Sequence, residues 1–402
     1  MILKIEVNFQ VIKFLQRFLS NPKEFIQRVS LKYAYKNIPN HLNFRTLRGF
    51  YTAKYYKEFY QKFDGYCFVV PLGIPYNYMK QRPQHIATQM SEYFPTFYYT
   101  GALFVNDDKV KGVEKIQDNF FLINDGINGN SIFNVSKKII YTFWVIDHYF
   151  YVKNDKDSFV IYDYLDEIDI TPRFNEDTIK KHYAMMNRAN LILTSSDNLY
   201  KKIPKEHLLK TLLITNGVQY SHFYHKLSPR PISNSKLTIG FYGALEKWID
   251  IDLIEKLASI EDFELKIIGP IVDPIFERLK KYKNIKLLGH QPYAELPLLT
   301  KDVDVFILPF LLSELTKSVS PVKLYEYFAT GKPVVSTALP ECEKYDTVYI
   351  MDIENCEEKI REAYEKFANK EYIELSQSYA KDNSWDRKVK IIFEKIVEME
   401  SI

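Results

Sequence analysis

The chain has 402 residues, 46% hydrophobic and 26% charged, with a net charge of +3, as in an ordinary globular protein of two or three domains. Its three cysteines form an odd set without metal-binding spacing, which argues against a disulfide framework and for a reducing compartment. No stretch reaches the roughly 18 uncharged apolar residues of a membrane span, and charges interrupt the apolar N-terminus, unlike in an ordinary signal peptide. These features predict a cytoplasmic protein.

Residues 1–62 carry 12 Lys and Arg but only 3 acidic residues, interleaved with aromatic and aliphatic residues at helical spacings. One interpretation is a surface that lies on anionic lipid. The other is a helical extension that packs on the first domain and leaves its basic face in water. No nucleic-acid-binding module accompanies the segment, so we expect no nucleic acid partner.

From residue 64 onward, buried apolar runs alternate with helical segments, a pattern typical of a doubly wound, mostly parallel sheet. The predicted strands are Gly65–Pro71, Phe97–Thr100, Phe120–Ile123, Ile139–Val145, Phe159–Tyr164, Leu191–Thr194 and Leu212–Thr215. The predicted helices are Arg82–Met90, Asp177–Arg188 and Asp197–Lys202. Such sheets bind ligands beyond the C-terminal ends of their strands, here the loops Gly73–Arg82, Tyr162–Glu167 and Thr194–Asp197.

Residues 219–235 lack periodicity and contain two prolines, so we place a linker there. A second alternation follows. Its predicted strands are Leu237–Tyr242, Glu264–Ile268, Ile285–Leu288, Val303–Leu308 and Val334–Thr337. Its predicted helices are Asp250–Ser259, Pro274–Tyr282, Tyr293–Thr300 and Pro321–Thr330, with further helix over 354–401. The expected architecture is two similar α/β domains that face each other across a cleft.

The helix predicted at Pro321–Thr330 carries the clearest functional signal. Ser320 is placed to cap it, Pro321 suits its first position, and Gly331 ends it. A helix that starts at the C-terminal end of a parallel strand favours a phosphate. On one face of this helix, Lys323 would suit a phosphate and Glu326 sugar hydroxyls, whereas the alternative is a solvated Lys–Glu pair.

The motif from Ser320 to Val335, with Lys323, Glu326, Gly331 and Pro333, resembles the donor-binding segment of GT-B glycosyltransferases of the group 1, family-four type. Other matching pieces are Gly240–Gly243, Ile268-Gly269-Pro270 and Asn383-Ser384-Trp385. Arg82-Pro83-Gln84 and the run from Tyr162 to Glu167 are similar to the subgroup that acts in teichuronic acid and related envelope polysaccharide synthesis. The resemblance covers residues 65–390.

The resemblance implies a GT-B fold of two Rossmann-like domains: an acceptor domain over 63–220 and a nucleotide-sugar donor domain over 236–380. A basic helical extension, 1–62, would precede them and a C-terminal helix, 381–402, would pack back on the first domain. The implied reaction transfers a sugar from a nucleoside diphosphate sugar to a glycan or lipid-linked acceptor, with retention and without a metal or cofactor. The protein would work in the cytoplasm, and if residues 1–62, which lie outside the resemblance, bind lipid, they would hold it at the inner face of the membrane.

The resemblance also implies site residues. Glu326 would bind the ribose hydroxyls, and the helix start at 319–322 would bind the diphosphate together with Lys247. The full set of expected donor-binding residues is Gly243, Lys247, Ser318, Val319, Ser320, Lys323 and Glu326. Two departures stand out: Ser318 occupies a position that often carries Glu, and Lys247 is the nearest cation where the family has Arg.

In the first domain, Asp163 and Asp166 are the catalytic candidates, because a carboxylate there could orient or deprotonate an acceptor hydroxyl. The alternative is that these acids cap a turn. Arg82 is a candidate for binding the diphosphate or an acceptor phosphate, and the alternative is an exposed arginine. Asp302 and Asp304 are interpreted as structural, and no histidine spacing indicates zinc. Two other functions stay open: a sugar-nucleotide epimerase and a non-catalytic nucleotide- or glycan-binding module.

Overall fold

The computed structural model describes residues 55–100, 110, 112–124, 130–153, 155–168, 174–227 and 236–400. The chain forms an α/β structure with two sheets of mostly parallel strands, as predicted. It divides into two compact units. The first contains residues 55–77, Met90–Tyr141 and Asp155–Phe159, and the second contains Tyr78–Gln89, Thr142–Asn154 and Val160–Ile402. The domain boundaries predicted from the sequence stay a prediction.

The strands and helices alternate along the chain. The strands are β1 (Tyr66–Gly73), β2 (Thr96–Thr100), β3 (Gly112–Gln117), β4 (Phe120–Asn124), β5 (Lys137–Thr142), β6 (Phe159–Tyr164), β7 (Leu191–Thr194), β8 (Thr211–Leu213), β9 (Leu237–Tyr242), β10 (Phe263–Ile268), β11 (Ile285–Leu287), β12 (Val305–Leu308), β13 (Val334–Ser336) and β14 (Val348–Ile350). The helices are α1 (Arg82–Met90), α2 (Val145–Val152), α3 (Glu176–Arg188), α4 (Asp197–Lys201), α5 (Tyr220–Phe223), α6 (Ile251–Ala258), α7 (Leu296–Leu299), α8 (Val322–Thr330), α9 (Cys356–Glu365), α10 (Lys370–Asp382) and α11 (Trp385–Glu400).

In the first unit the strands lie in the order β3-β4-β2-β1-β5, with β3 antiparallel to β4 and the other pairs parallel. A helical turn at residues 55–60 leads into this sheet. The rings of Phe59 and Phe63 pack against Phe97 and Phe121 at centroid distances of 5.1–5.7 Å. The described end of the basic extension therefore packs on the sheet. Residues 1–54 lie outside the described residues, and lipid contact by residues 1–62 stays a prediction.

In the second unit, a six-stranded parallel sheet has the strand order β11-β10-β9-β12-β13-β14, and β6, β7 and β8 lie side by side in parallel. In the six-stranded sheet, the central strand β12 (Val305–Leu308) is buried along its whole length, as expected for a parallel strand covered on both faces. Helix α8 starts beyond the C-terminal end of β12 and packs against α10. This topology brings the loops after β9, β10 and β11 to the edge where α8 begins.

Several predicted elements differ from the observed ones. The segment predicted as one helix from Tyr293 is a 3-10 turn, Tyr293–Glu295, followed by the short helix α7, because Pro297 has no N–H to continue the first turn. Residues Pro274–Lys281 form a 3-10 helix rather than an α-helix. Strands β3 and β14 and helices α2 and α5 were not predicted, and α5 lies in the stretch 219–235 that was predicted to be a linker. Strand β3 is mostly solvent-exposed and lacks a buried face, and the β-branched and aromatic residues of α2 resemble a continuation of β5.

The predicted cap of α8 is wrong. The cap position is Pro321, which makes no side-chain cap bond, so the helix begins one residue later than expected. Ser320 is instead held by Asn216: its Oγ accepts from the Asn216 backbone N–H at 3.2 Å, and its carbonyl oxygen accepts from Asn216 Nδ2 at 2.5 Å. The predicted end is confirmed, because Gly331 adopts the left-handed conformation with φ of 73°.

Replacing Gly331 by alanine is expected to lower the free energy of unfolding by about 1–3 kcal/mol, because a Cβ costs energy in the left-handed region and also meets a neighbour. That Cβ would lie 2.8 Å from Ile373 Cγ2. Urea unfolding measures the change. Gly65→Ala is the matched control, since a Cβ there has no heavy atom within 4 Å. Equal losses in the two variants would contradict the expected strain at Gly331.

Cys67, Cys342 and Cys356 are free thiols, and all three are buried. Burial raises the pKa of Cys67 and of Cys342 to about 12, so these side chains are inert thiols at neutral pH. Among the helices of the described ranges, none has the length and apolar character needed to span a bilayer.

Candidate functional site

A cavity lies where the loops after β9, β10 and β11 meet the first turn of α8. Its walls include Gly243, Gly269 and His290 from the three loops, and Val322 at the helix start. The first amide groups of a helix have no carbonyl partner within the helix, and its dipole makes this end attractive to anions. The cavity therefore has the position and polarity expected of an anion-binding site at a parallel sheet edge.

Two glycines allow the loops after β9 and β10 to approach closely. Gly243 and Gly269 both have φ of 150°, and the Gly243 N–H donates to the Ile268 carbonyl oxygen at 2.8 Å. A Cβ on Gly269 would lie 1.8 Å from the Gly243 carbonyl oxygen. No larger residue fits at Gly269 without moving the Gly243 backbone, so the pair fixes the shape of this wall.

Lys323 and Glu326 both face the cavity from α8. Glu326 is only 3% exposed, and burial raises its pKa to about 7, against the opposing effect of Lys323. Burial lowers the pKa of Lys323, while Glu326 acts in the other direction. The sequence alternative of a solvated Lys–Glu pair is therefore wrong for Glu326, because this carboxylate is enclosed by protein.

Lys80 enters the same cavity from the loop between β1 and α1. Its Nζ lies 5.5 Å from the centroid of the Tyr293 ring and 3.5 Å from Gln219 Oε1. Burial lowers the pKa of Lys80, and the Glu326 carboxylate raises it. The cavity thus holds two lysines and one carboxylate, an excess of positive charge that suits an anionic ligand.

Two tyrosines in the cavity wall, Tyr242 and Tyr293, have buried hydroxyl groups, and the Tyr293 hydroxyl has no hydrogen-bond partner among the residues that the structure describes. Burial, followed by the Glu326 carboxylate, raises the pKa of both. The Tyr242 hydroxyl is therefore close enough to the Glu326 carboxylate to interact with it directly. Buried polar groups of this kind normally have partners, which a bound polar ligand would supply.

The predicted donor-binding residues divide into two groups. Gly243, Lys323 and Glu326 line the cavity together. Lys247 has an exposed side chain and is not part of the wall. Ser318, Val319 and Ser320 lie in the preceding loop, where the Val319 N–H already donates to the Thr316 carbonyl oxygen at 3.1 Å. Their roles in donor binding stay predictions.

The loop before α8 is held by residues that follow β6 and β7. Ser318 Oγ donates to Glu167 Oε1 at 2.5 Å, and the Ser318 carbonyl oxygen accepts from Ser196 Oγ at 2.7 Å. Asn198 Nδ2 donates to the Lys317 carbonyl oxygen at 2.8 Å. Glu167 also forms an ion pair with Lys202. A carboxylate thus does lie at Ser318, but it comes from another part of the chain.

Arg82 and Asp163 form a buried ion pair. Arg82 Nε donates to Asp163 Oδ2 at 2.6 Å and its Nη2 donates to Asp163 Oδ1 at 3.0 Å, a bidentate arrangement. Asp163 is fully buried and Arg82 is 3% exposed. Arg82 Nη1 also donates to the carbonyl oxygens of Ile214 and Thr215, at 2.7 and 3.1 Å. The alternative of an exposed arginine is wrong, whereas the phosphate-binding role of Arg82 and the catalytic role of Asp163 stay predictions.

Asp166 follows β6 and has an exposed side chain. The pKa of this carboxyl is raised, first because neighbouring protein atoms desolvate it and then because the Asp163 carboxylate repels its negative charge, while Arg82 acts in the opposite direction. Of the two predicted catalytic carboxylates, Asp166 is therefore the one that a substrate can reach. Its role as acceptor-side base stays a prediction.

The acidic pair at 302 and 304 has structural partners. Asp302 forms an ion pair with Lys266, and Asp304 Oδ2 accepts from the Thr238 N–H at 2.9 Å. Within the described ranges, no group of three or more His, Cys, Asp or Glu side chains is arranged to hold a metal ion. Independence of a metal stays a prediction.

Four residues of the cavity wall were not predicted from the sequence: Lys80, Tyr242, His290 and Tyr293. Tyr242 directly precedes the Gly243 turn, and Lys80 lies in the Gly73–Arg82 loop, which was predicted to bind ligands. The sequence thus indicated the two loops that contain Tyr242 and Lys80, but it did not indicate which side chain of each loop faces the cavity. Tyr293 was assigned to a helix, and nothing in its pattern distinguishes it from a packing residue.

Residues 236–368 match the family model "Glycosyl transferases group 1". Over 179 residues, the chain is 31% identical to the Bacillus subtilis (strain 168) protein TuaH, a teichuronic acid biosynthesis glycosyltransferase by name. This match covers 42% of the chain and 45% of TuaH, so less than half of that relative's length is spanned.

Solved structures show the same fold over most of the chain. Sucrose-phosphate synthase from Thermosynechococcus elongatus superposes with a TM-score of 0.66 at 11% identity, covering 84% of this chain and 100% of that one. Anabaena HepE, solved in complex with UDP-glucose, gives a TM-score of 0.57 at 13% identity, covering 83% and 99%. The chain therefore has a GT-B fold, and its residues 236–368 are similar to the group 1 glycosyltransferase domain.

Proposed function

We propose that this protein transfers a sugar from a nucleoside diphosphate sugar to a glycan or lipid-linked acceptor in envelope or surface polysaccharide synthesis. The observation that carries the proposal is the placement of Lys323 and Glu326 on the first turns of α8, facing one cavity inside a glycosyltransferase domain. The name of TuaH supports the polysaccharide context, and the UDP-glucose complex of HepE supports a sugar-nucleotide donor.

The chemistry suits the cavity. The leaving diphosphate gains negative charge as the bond to the sugar breaks, so cations and amide groups aimed at it lower the barrier. Lys323 and the start of α8 would bind this diphosphate, and the Glu326 carboxylate would accept hydrogen bonds from ribose hydroxyls. With cations supplied by the protein, the proposed reaction uses neither a metal nor a resident cofactor, and it retains the anomeric configuration.

On the acceptor side, the exposed carboxylate of Asp166 would orient or deprotonate the attacking hydroxyl. A lipid-linked acceptor would lie at the membrane surface, where residues 1–62 would bring the enzyme by electrostatic attraction to anionic lipid. The protein would then act in the cytoplasm, at the inner face of the membrane.

The first experiment is a thermal-shift panel of UDP, GDP, ADP and TDP and their sugars, because a ligand that binds only the folded state raises the unfolding temperature. We expect at least one nucleoside diphosphate to stabilise the protein and its sugar to be consumed when an acceptor is added. Product analysis without acceptor separates transfer from epimerisation. Stabilisation without turnover on any acceptor would favour a binding module instead, and no stabilisation would contradict the proposal.

Replacing Lys323 by alanine is expected to weaken binding of the nucleoside diphosphate about 10- to 30-fold, the effect of losing one charged hydrogen bond of about 1.5–2 kcal/mol. Isothermal titration calorimetry measures the change. Lys286→Ala is the matched control, because this exposed lysine on β11 pairs with Glu264 at 3.2 Å. If the two variants bound the nucleotide equally well, Lys323 would have no role in the site.

A further inference from the structure

The segment Tyr78–Gln81 crosses one side of the cavity. Met79, Lys80 and Gln81 line the wall, and the Tyr78 ring stacks on His290 with a centroid distance of 5.3 Å and an interplanar angle of 2°. His290 is itself part of the wall. The segment thus approaches α8 and the loop after β11, although it lies more than 200 residues earlier in the chain.

The backbone of this segment is fixed by a buried side chain. Gln84, which is fully buried, donates from Nε2 to the Tyr78 carbonyl oxygen at 3.3 Å and accepts from the Gln81 N–H at 3.1 Å. These two bonds bracket Lys80. The backbone around Lys80 is therefore held in place before any ligand arrives, which reduces the conformational entropy lost on binding.

The charges in the cavity call for a second cation. A nucleoside diphosphate carries at least two negative charges, and Glu326 offsets part of the positive charge of Lys323 and of Lys80, with the larger effect on its own pKa coming from Lys323. Lys247, the cation expected from the sequence, is exposed and outside the wall. Lys80 is half-buried in the wall, and its ammonium group is partly desolvated, which strengthens its attraction to an anion.

We infer that Lys80 supplies the second positive charge for the diphosphate of the donor, and that the segment Tyr78–Gln81 is a preformed clamp that carries it. This inference rests on the proposed function and identifies a further substrate-binding residue in the same site. In this arrangement the loop at Gly243 needs no cation of its own, because the ammonium group of Lys80 lies on the opposite side of the cavity.

The test compares the binding of two probes by calorimetry: the nucleoside diphosphate that binds the wild-type protein most tightly in the thermal-shift panel, and its matching nucleoside. For Lys80→Met, which keeps the aliphatic stem beside Tyr293, we expect about 10-fold weaker diphosphate binding and less than about 2-fold change for the nucleoside. Lys80→Arg should retain binding within about 3-fold, because the charge remains.

Lys247→Ala is the rival variant. If it weakens diphosphate binding while Lys80→Met does not, the inference is overturned and the proposed function stands. Equal weakening of the diphosphate and the nucleoside by Lys80→Met would also overturn it, because a general distortion of the cavity affects both probes. If the wild-type protein binds none of the nucleotides, the proposed function itself fails, which is a separate result.

Discussion

Glu326→Gln is expected to weaken nucleoside diphosphate binding about 30-fold at pH 8, since a carboxylate that accepts hydrogen bonds from hydroxyls contributes about 2 kcal/mol more than an amide. The same substitution should make the free protein more stable at that pH. The opposite signs follow from one fact: Glu326 is a carboxylate held in a desolvated cavity wall, where it is costly without a ligand and useful with one.

The direction of the stability effect follows from the pKa of Glu326, which burial raises from 4.5 to about 7. Between these values the folded protein binds more protons than the unfolded chain, so stability falls as the pH rises through this window. Above pH 7 the full penalty remains, on the order of 1–3 kcal/mol. Glutamine does not titrate and removes the penalty.

Urea unfolding and nucleotide titration at pH 6, 7 and 8 measure both effects. Affinity should rise with pH more steeply in the wild-type protein than in Glu326→Gln, because only the wild-type protein loses the Glu326 proton, whereas both bind a ligand whose terminal phosphate ionises at about pH 6. Glu277→Gln is a suitable control, because this exposed carboxylate pairs only with the neighbouring Lys280 among its ionic contacts in the described ranges. A variant with wild-type affinity and wild-type stability at all three pH values would remove Glu326 from the site.

Asp163→Asn is expected to lower the free energy of unfolding by about 3–5 kcal/mol, because it leaves the Arg82 guanidinium buried without its counter-charge. Arg82 Nη1 also donates to the carbonyl oxygens of Ile214 and Thr215, which precede the Asn216 turn, so an Arg82 that loses Asp163 would disturb this turn as well. Thermal and urea unfolding test this directly. Transfer activity per folded molecule is the second measurement, since it separates a structural role from a chemical one.

Asp166→Asn is the counterpart on the same strand end. The pKa of Asp166 is raised in the folded protein, so removal of its charge should leave the free energy of unfolding unchanged or increase it. If Asp166 is the acceptor-side base, transfer falls while nucleotide affinity is kept. The reverse pattern, a stable Asp163→Asn protein without transfer activity and a fully active Asp166→Asn protein, would make Asp163 the catalytic carboxylate.

Much of the fold was predictable because parallel strands buried on both faces leave dense apolar runs in the sequence. Strands Phe159–Tyr164 and Leu191–Thr194 and helix Arg82–Met90 were predicted with their observed bounds. Gly331 marked its helix end because the left-handed conformation favours glycine. The exposed strand β3 and the aromatic helix α2 were missed, because neither has the alternation of its class.

The site was predictable only where its residues lie close together in the chain. Lys323 and Glu326 share one helix, so their spacing placed them on one face. Lys80 and Lys247 could not be ranked, because both sit in loops after a strand and only the folded backbone shows which enters the cavity. The partner of Asp163 was likewise hidden, since Arg82 lies 81 positions earlier in the sequence.

The bonds that hold the loop before α8 bear on how this protein can be engineered. The stretch that matches the family model, residues 236–368, does not contain Glu167, Ser196 or Asn198, which fasten Ser318 and Lys317 from outside it. In a chimera that takes residues 236–368 from a relative, the loop before α8 would face residues 167, 196 and 198 of this chain, which are not matched to it. These three positions would therefore have to be changed as well. Directed evolution of the proposed donor site should therefore vary residues on both sides of this contact.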